Sequence, residues 1–240
     1  MSIPTNTVKF FKWVKKRTEH YWSKEYQDSI ADKDDVHKCA EWLIDAKWTG
    51  FSEAEIEEVE RKYSVKFTRE HKLFLQILHS VNRKQPASEL TSERPFFYNW
   101  IRDEEEIRAK MNWAFEQILF DVLNNKTWIE SWGERPKTQE MIKEVFKKQF
   151  DKSSVLLPIY THRFILNEYE DRPNIILSIW GSDTIIYGKN FRHYLLNEIR
   201  GSLNLSKEEQ KEVDTIGERE HNNKEYRKLP FWGEIIDANS

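Results

Sequence analysis

The chain has 240 residues, of which 33% are charged and 14% aromatic, with a formal net charge of −3. That length sustains a full hydrophobic core, while the charge balance excludes an overall basic field for phosphate binding, so no nucleic-acid partner is expected. The one cysteine, Cys39, has no internal disulfide partner, lysines and Arg17 interrupt any signal-peptide core before Tyr21, and no run is long enough to cross a membrane, all of which point to the cytoplasm.

In chain order, residues 5–30 are expected to be helical. Thr5, Asn6 and Thr7 offer caps, and Phe10, Val14 and Tyr21 fall near one stripe with Phe11, Trp13 and Trp22 beside it. Asp32 to Asp35 break this pattern and cap a second helix, whose apolar positions are Val36, Ala40, Leu43 and Ile44, with the stem of Lys47. Ser52-Glu53-Ala54-Glu55 has the spacing of a capping box, and Ile56, Val59 and Tyr63 follow on one helical face. Ser64 ends that helix, Val65 and Phe67 form an extended bridge, and Thr68 caps a helix burying Leu73, Phe74, Ile77 and Leu78.

Residues 82–95, polar with two prolines, predict a loop, and Phe96 to Trp100 an aromatic strand. Asp103, Glu104, Glu105 and Glu106 suit the N-terminus of a helix with its core stripe at Ile107, Met111, Ala114, Phe115 and Ile118. Leu119 to Val122 reads as a strand, Asn124-Asn125 as a hairpin turn and Thr127 to Ile129 as the return strand. Thr138 caps a helix burying Met141, Ile142, Val145, Phe146 and Phe150, and residues 155–160 and 163–166 are strands. The apolar runs 175–180 and 184–188, separated by Gly181-Ser182-Asp183, predict a hairpin with an inner strand at the centre of the fold. Asn190 caps a helix bearing Phe191, Tyr194, Leu195 and Ile199, which Gly201 stops. Residues 204–228 predict an exposed charged helix and loop, and Leu229 to Trp232 an apolar anchor for the tail. The buried set is expected to include Ile56, Val59, Phe74, Ile77, Phe115, Phe120, Ile176, Ile186 and Leu195, and most of the ten tryptophans.

No metal-ligand spacing, glycine-rich phosphate loop or nucleophile elbow is present, so no cofactor or metal is implied. The one enzyme-like constellation is His162, Asp183 and His193, a set suited to acid–base hydrolysis, although an aspartate in a turn ordinarily accepts backbone hydrogen bonds. Acidic clusters are the stronger signal: Glu53, Glu57, Glu58 and Glu60 beside the stripe of the helix after Ser52, and Asp103, Glu104, Glu105 and Glu106 at the next long helix. Such faces steer and hold a basic protein partner.

Taken in order, several motifs resemble one family. Trp48, Ser52-x-x-x-Ile56-x-x-x-Glu60-x-x-Tyr63-x-Val65, Phe67 and Phe74-Leu75 look like the N-terminal signature of the SUKH superfamily, which includes bacterial immunity proteins and yeast cell-wall-synthesis regulators. Ile118 to Val122, Trp132 to Pro136, Pro158-Ile159-Tyr160-x-His162-Arg163, Ser178-Ile179-Trp180, Asp183-x-Ile185-Ile186-Tyr187-Gly188, Tyr194-Leu195 and Phe231-Trp232 are similar to its bacterial branch. Thr68 stands where the family usually has proline, Ser64 where glycine is common, and Val81 to Lys84 replace a glycine-rich turn. The resemblance implies an α+β fold, a SUKH-like antiparallel or mixed β-sheet flanked by helices. It divides the chain into an N-terminal helical extension, 1–47, and a SUKH-like α+β domain, 48–236. It further implies an immunity protein that binds a toxin domain, a nuclease being one case, with no catalytic role. A regulatory adaptor is the alternative and a hydrolase the third reading.

Overall fold

The structure, a computed structural model, describes residues 2–30, 38–89, 92–167, 174–221 and 225–238. The fold is α+β. Its centre is an antiparallel sheet of four strands in sequential order: β5 (Val155–Tyr160), β6 (Arg163–Asn167), β7 (Ile176–Trp180) and β8 (Asp183–Gly188). β7 is an inner strand, as its apolar run predicts, and helices cover both sheet faces. Alternation of side chains along each strand sorts the apolar residues into two cores. Leu157, Ile159, Ile165 and Ile176 face one, and Leu156, Phe164, Leu166, Leu177 and Ile179 face the other.

The first core is closed by the helices α1 (Thr7–Tyr21), α3 (Glu53–Tyr63), α4 (Arg69–Leu78) and α7 (Phe191–Glu198). Local sequence signals define these elements. The Ser52–Glu55 capping box forms with both bonds present, and Ser64 ends α3 at a left-handed φ of 53°. Thr68 and Asn190 cap α4 and α7 through their side chains. The buried face of α4 is His71, Phe74, Leu75 and Leu78, while Leu73 and Ile77 are half-buried. Phe10, Phe11, Val14 and Trp22, from the first 47 residues, join this same core, where Phe11 packs edge-on against Phe74 and Phe191. The short ladder of β1 (Trp48–Thr49) with β2 (Ser80–Val81) lies beside it, and Trp48 Nε1 donates to Thr18 Oγ1 at 2.7 Å. A second small ladder, β3 (Lys84–Gln85) with β4 (Arg94–Pro95), falls within the predicted loop.

The second core is closed by α5 (Glu104–Asn124), α6 (Gln139–Phe150) and α9 (Trp232–Ala238). The anchor expected at 229–232 is docked there through Leu229, Phe231 and Trp232. Thr138 caps α6, which buries Ile142 and Phe146 and leaves Met141 exposed rather than inside. A short α2 (Lys24–Ser29) follows α1, and α8 (Lys207–His221) supplies the expected charged helix.

Several expectations are overturned. Residues 119–129 form no hairpin: the helix continues to Asn124 because Ile107, Ala114, Ile118 and Val122 make one unbroken stripe against the sheet. Phe120 therefore points off that stripe and is 57% exposed, outside the core. The helix expected at 36–47 is absent from its described part, 38–47, which holds only a 3-10 turn at Glu41–Leu43; Asp32 to Val36 lie outside the described residues. Tertiary bonds hold this segment in turns that cannot continue as a helix: Asp45 N–H donates to Trp22 O, Lys24 N–H donates to Asp45 Oδ1, and Asp45 takes a left-handed φ of 58°. Phe96 to Trp100 pack as aromatic coil rather than a strand, with Phe97 at a φ of 62°. Of the predicted core, Ile56, Val59, Phe74, Ile176 and Leu195 are buried, and Ile77, Phe115 and Ile186 are half-buried.

Candidate partner-binding surfaces

The acidic residues of the expected binding face separate into two kinds. Glu53, Glu57 and Glu58 lie on the exposed side of α3 and form no ion pair among the described residues. Glu60 turns inward instead. Its residue is 4% exposed, Oε1 accepts from Phe67 N–H at 2.8 Å, and Lys72 and Lys66 approach the carboxylate at 3.1 and 3.2 Å. Burial alone would raise its pKa; the Phe67 N–H and the two ammonium groups outweigh it and hold the carboxyl below its usual value. Glu60 is thus a clamp on the α3–α4 connection, and its expected outward orientation is corrected.

The second cluster divides in the same way. Asp103 is buried, with Oδ2 accepting from Asn99 N–H at 2.8 Å. Burial raises its pKa. Glu104 bridges two helices, pairing with Lys62 of α3 at 2.5 Å and with Arg108 at 2.9 Å. Glu105 and Glu106 remain exposed. α3 and α5 meet at this junction, but Lys62 and Arg108 stand in it, so the two clusters do not merge into one acidic field.

The enzymatic trio is not assembled. His162 lies in the β5–β6 turn and Asp183 opens β8, with β7 between them, since Ile179 N–H donates to His162 O and Trp180 pairs with Asp183. Two strand spacings separate such positions, about 10 Å. His193 belongs to the first turn of α7, beyond the far end of β8, and its backbone N–H donates to Asn190 Oδ1 at 2.8 Å. The five residue-to-residue steps from Asp183 to Gly188 span about 17 Å along the sheet, and His193 lies beyond them. Among the described residues no group of three or more His, Cys, Asp or Glu side chains converges as metal ligands. No helix among them is long and apolar enough to cross a membrane.

Sequence reasoning passed over the sheet end that carries both hairpin turns. Every tryptophan except Trp180 is buried or half-buried, and Trp180, the last residue of β7, is 66% exposed. Its ring meets Trp113 of α5 edge-on at 5.8 Å and His162 at 5.9 Å. The signal was present in principle. A large ring on the last strand residue before a two-residue turn lies past the cover of the packed helices.

The turn is rigidly held. Gly181 takes a φ of 61°, and Asp121 Oδ2 accepts from Ser182 N–H at 2.6 Å and from Ser182 Oγ at 2.9 Å. A Cβ on Gly181 would lie 2.2 Å from that oxygen, so only glycine admits both the backbone conformation and the close carboxylate. α5 is thereby fastened to the hairpin tip at Asp121 and touches it again through Trp113.

Comparisons with protein-family models, with curated proteins and with solved structures find no match.

Proposed function

We propose that the chain is an immunity protein: it binds a polymorphic bacterial toxin domain in the cytoplasm, a basic nuclease being the best-suited case, and neutralises it by stoichiometric occlusion. The observation that supports this reading is the ordered SUKH-like motif set between Trp48 and Trp232. The exposed acids Glu53, Glu57 and Glu58 supply a surface of the right sign for a basic partner. Glu60 and Asp103 have structural partners and leave the contact set, Glu104 is already neutralised, and Glu105 and Glu106 remain as a second exposed pair.

The test is the toxin domain encoded by the adjacent gene. A one-to-one complex and protection of cells expressing that toxin are expected. Converting Glu53, Glu57 and Glu58 together to Gln should slow association at low salt and leave dissociation nearly unchanged. The difference should fade at ordinary ionic strength, where screening acts over about 10 Å. Absence of a complex, or protection without binding, overturns the reading.

A further inference from the structure

The end of the sheet that carries Trp180 is a second surface, away from the α3 face, where cations and carboxylates both stand. Trp113 stacks on the buried Phe164 at 6.0 Å, which fixes the platform under Trp180. Lys110 Nζ lies 4.1 Å from the centre of the Trp113 ring. Lys110 is half-buried and has no ion pair or hydrogen bond among the described residues, and burial lowers its pKa. Arg94 donates to the neutral amide of Gln85 at 2.9 Å and pairs with no carboxylate among the described residues. Arg163 alone is matched, by Glu198 at 3.1 Å, while its guanidinium stacks on Tyr187 at 3.8 Å. Burial and then the charges of Arg163, Lys110 and Arg94 push the His162 imidazole down to about 4.

The Trp113 ring offsets part of the cost of holding the Lys110 ammonium partly out of water, and an external anion would offset more of it. One unmatched ammonium, Lys110, stands on the Trp113 ring that meets the exposed Trp180 of a clamped hairpin, and a second unmatched cation, Arg94, acts on the neighbouring His162. Tryptophan and arginine are the residues that most often dominate protein contacts, and a platform already rigid loses little on binding. We infer that the Trp180 end of the sheet docks an acidic protein segment, with carboxylates on Lys110 and Arg94 and a neighbouring apolar side chain on the Trp180 ring. A nucleic acid fits less well. A phosphate backbone needs a continuous row of cations, which Glu198 and Asp183 interrupt here, whereas a short segment can set its carboxylates on two separated cations. The inference does not depend on the toxin reading, because it uses a different surface and a partner of opposite charge.

The experiment uses the full chain labelled with nitrogen-15, its Trp180 indole resonance being assigned from Trp180→Phe. A short peptide alternating glutamate with leucine is titrated in, with the lysine–leucine counterpart and single-stranded oligothymidylate as the other arms. The acidic peptide should shift the Trp180 and Trp113 indole signals and spare those of the buried tryptophans. Lys110→Glu should weaken the interaction at least tenfold while the remaining indole signals, which report the fold, stay in place. Trp180→Ala, at an exposed position, should abolish binding without unfolding. An unmoved Trp180 signal overturns the inference, as does an equal response to the lysine peptide, a response to the oligonucleotide alone, or unchanged affinity in a folded Lys110→Glu variant.

Discussion

Gly181→Ala tests whether α5 and the central hairpin are fastened at Asp121. The substitution imposes two penalties. A left-handed φ of 61° costs an alanine about 1–2 kcal/mol. The new Cβ, 2.2 Å from Asp121 Oδ2, also expels the carboxylate and breaks its bonds to the Ser182 N–H and Oγ. Hydrogen bonds to a charged group contribute about 1.5–3 kcal/mol each, and water replaces part of both at this part-buried turn, so this loss is about 2–3 kcal/mol. The sum, about 3–5 kcal/mol, should lower the melting temperature by about 6–20 °C in a domain of this size. Asp121→Ala should cost that bond loss together with the small contribution of the exposed Asn125 Nδ2 bond to Oδ1. Because that loss is counted once, the double variant should be less destabilised than the sum of the singles, by about 2–3 kcal/mol. Urea denaturation of the four proteins measures this cycle. Additive effects would show that Asp121 does not hold the turn and that the register of α5 on the sheet has another cause.

Three further outcomes are expected. Glu60→Ala leaves the Phe67 N–H without its acceptor and should cost about 2–3 kcal/mol, whereas Glu60→Gln keeps an acceptor and should cost about 1 kcal/mol; similar urea midpoints for both would deny the clamp. Burial holds the His71 and His79 imidazoles down at about 3, and each has an Nδ1 without a partner. Because folding depresses both values, their stability contribution is complete above the unfolded value of about 6.5 and is lost as pH falls towards 3, by up to about 1.4 kcal/mol per pH unit for each histidine. His71→Leu should roughly halve that slope, and an unaltered slope would place the acid sensitivity elsewhere. Ile176→Ala, at a fully buried position in β7, should cost about 2–5 kcal/mol, and Ile186→Ala, half-buried in β8, about half as much; equal costs would mean that the two strands are covered alike.

What the sequence determined by itself was whatever depends on neighbours a few residues away. The capping box at Ser52–Glu55 and the caps at Thr68, Thr138 and Asn190 are bonds between a side chain and the backbone three residues on, so they are written locally. The strands 155–160 and 176–188 were legible because dense apolar runs broken by two-residue turns have few other uses. Only the tertiary structure decided between the competing local readings. Leu119 to Val122 and Asn124-Asn125 have strand and turn composition, yet burying Ile118 and Val122 against the sheet outweighs that preference and keeps α5 whole. It likewise decided which charges face solvent. Glu53, Glu57, Glu58 and Glu60 look equivalent in a list of acids on one helix, but Glu60 alone meets the Phe67 N–H returning from the next turn of chain. The same holds for Lys110, an ordinary helix lysine until the fold packs it against Trp113 beside His162, where no carboxylate among the described residues pairs with it. Caps and turns follow from bonds within a few residues, whereas burial and charge pairing follow from which distant segments arrive, and the pattern along the chain does not carry that information.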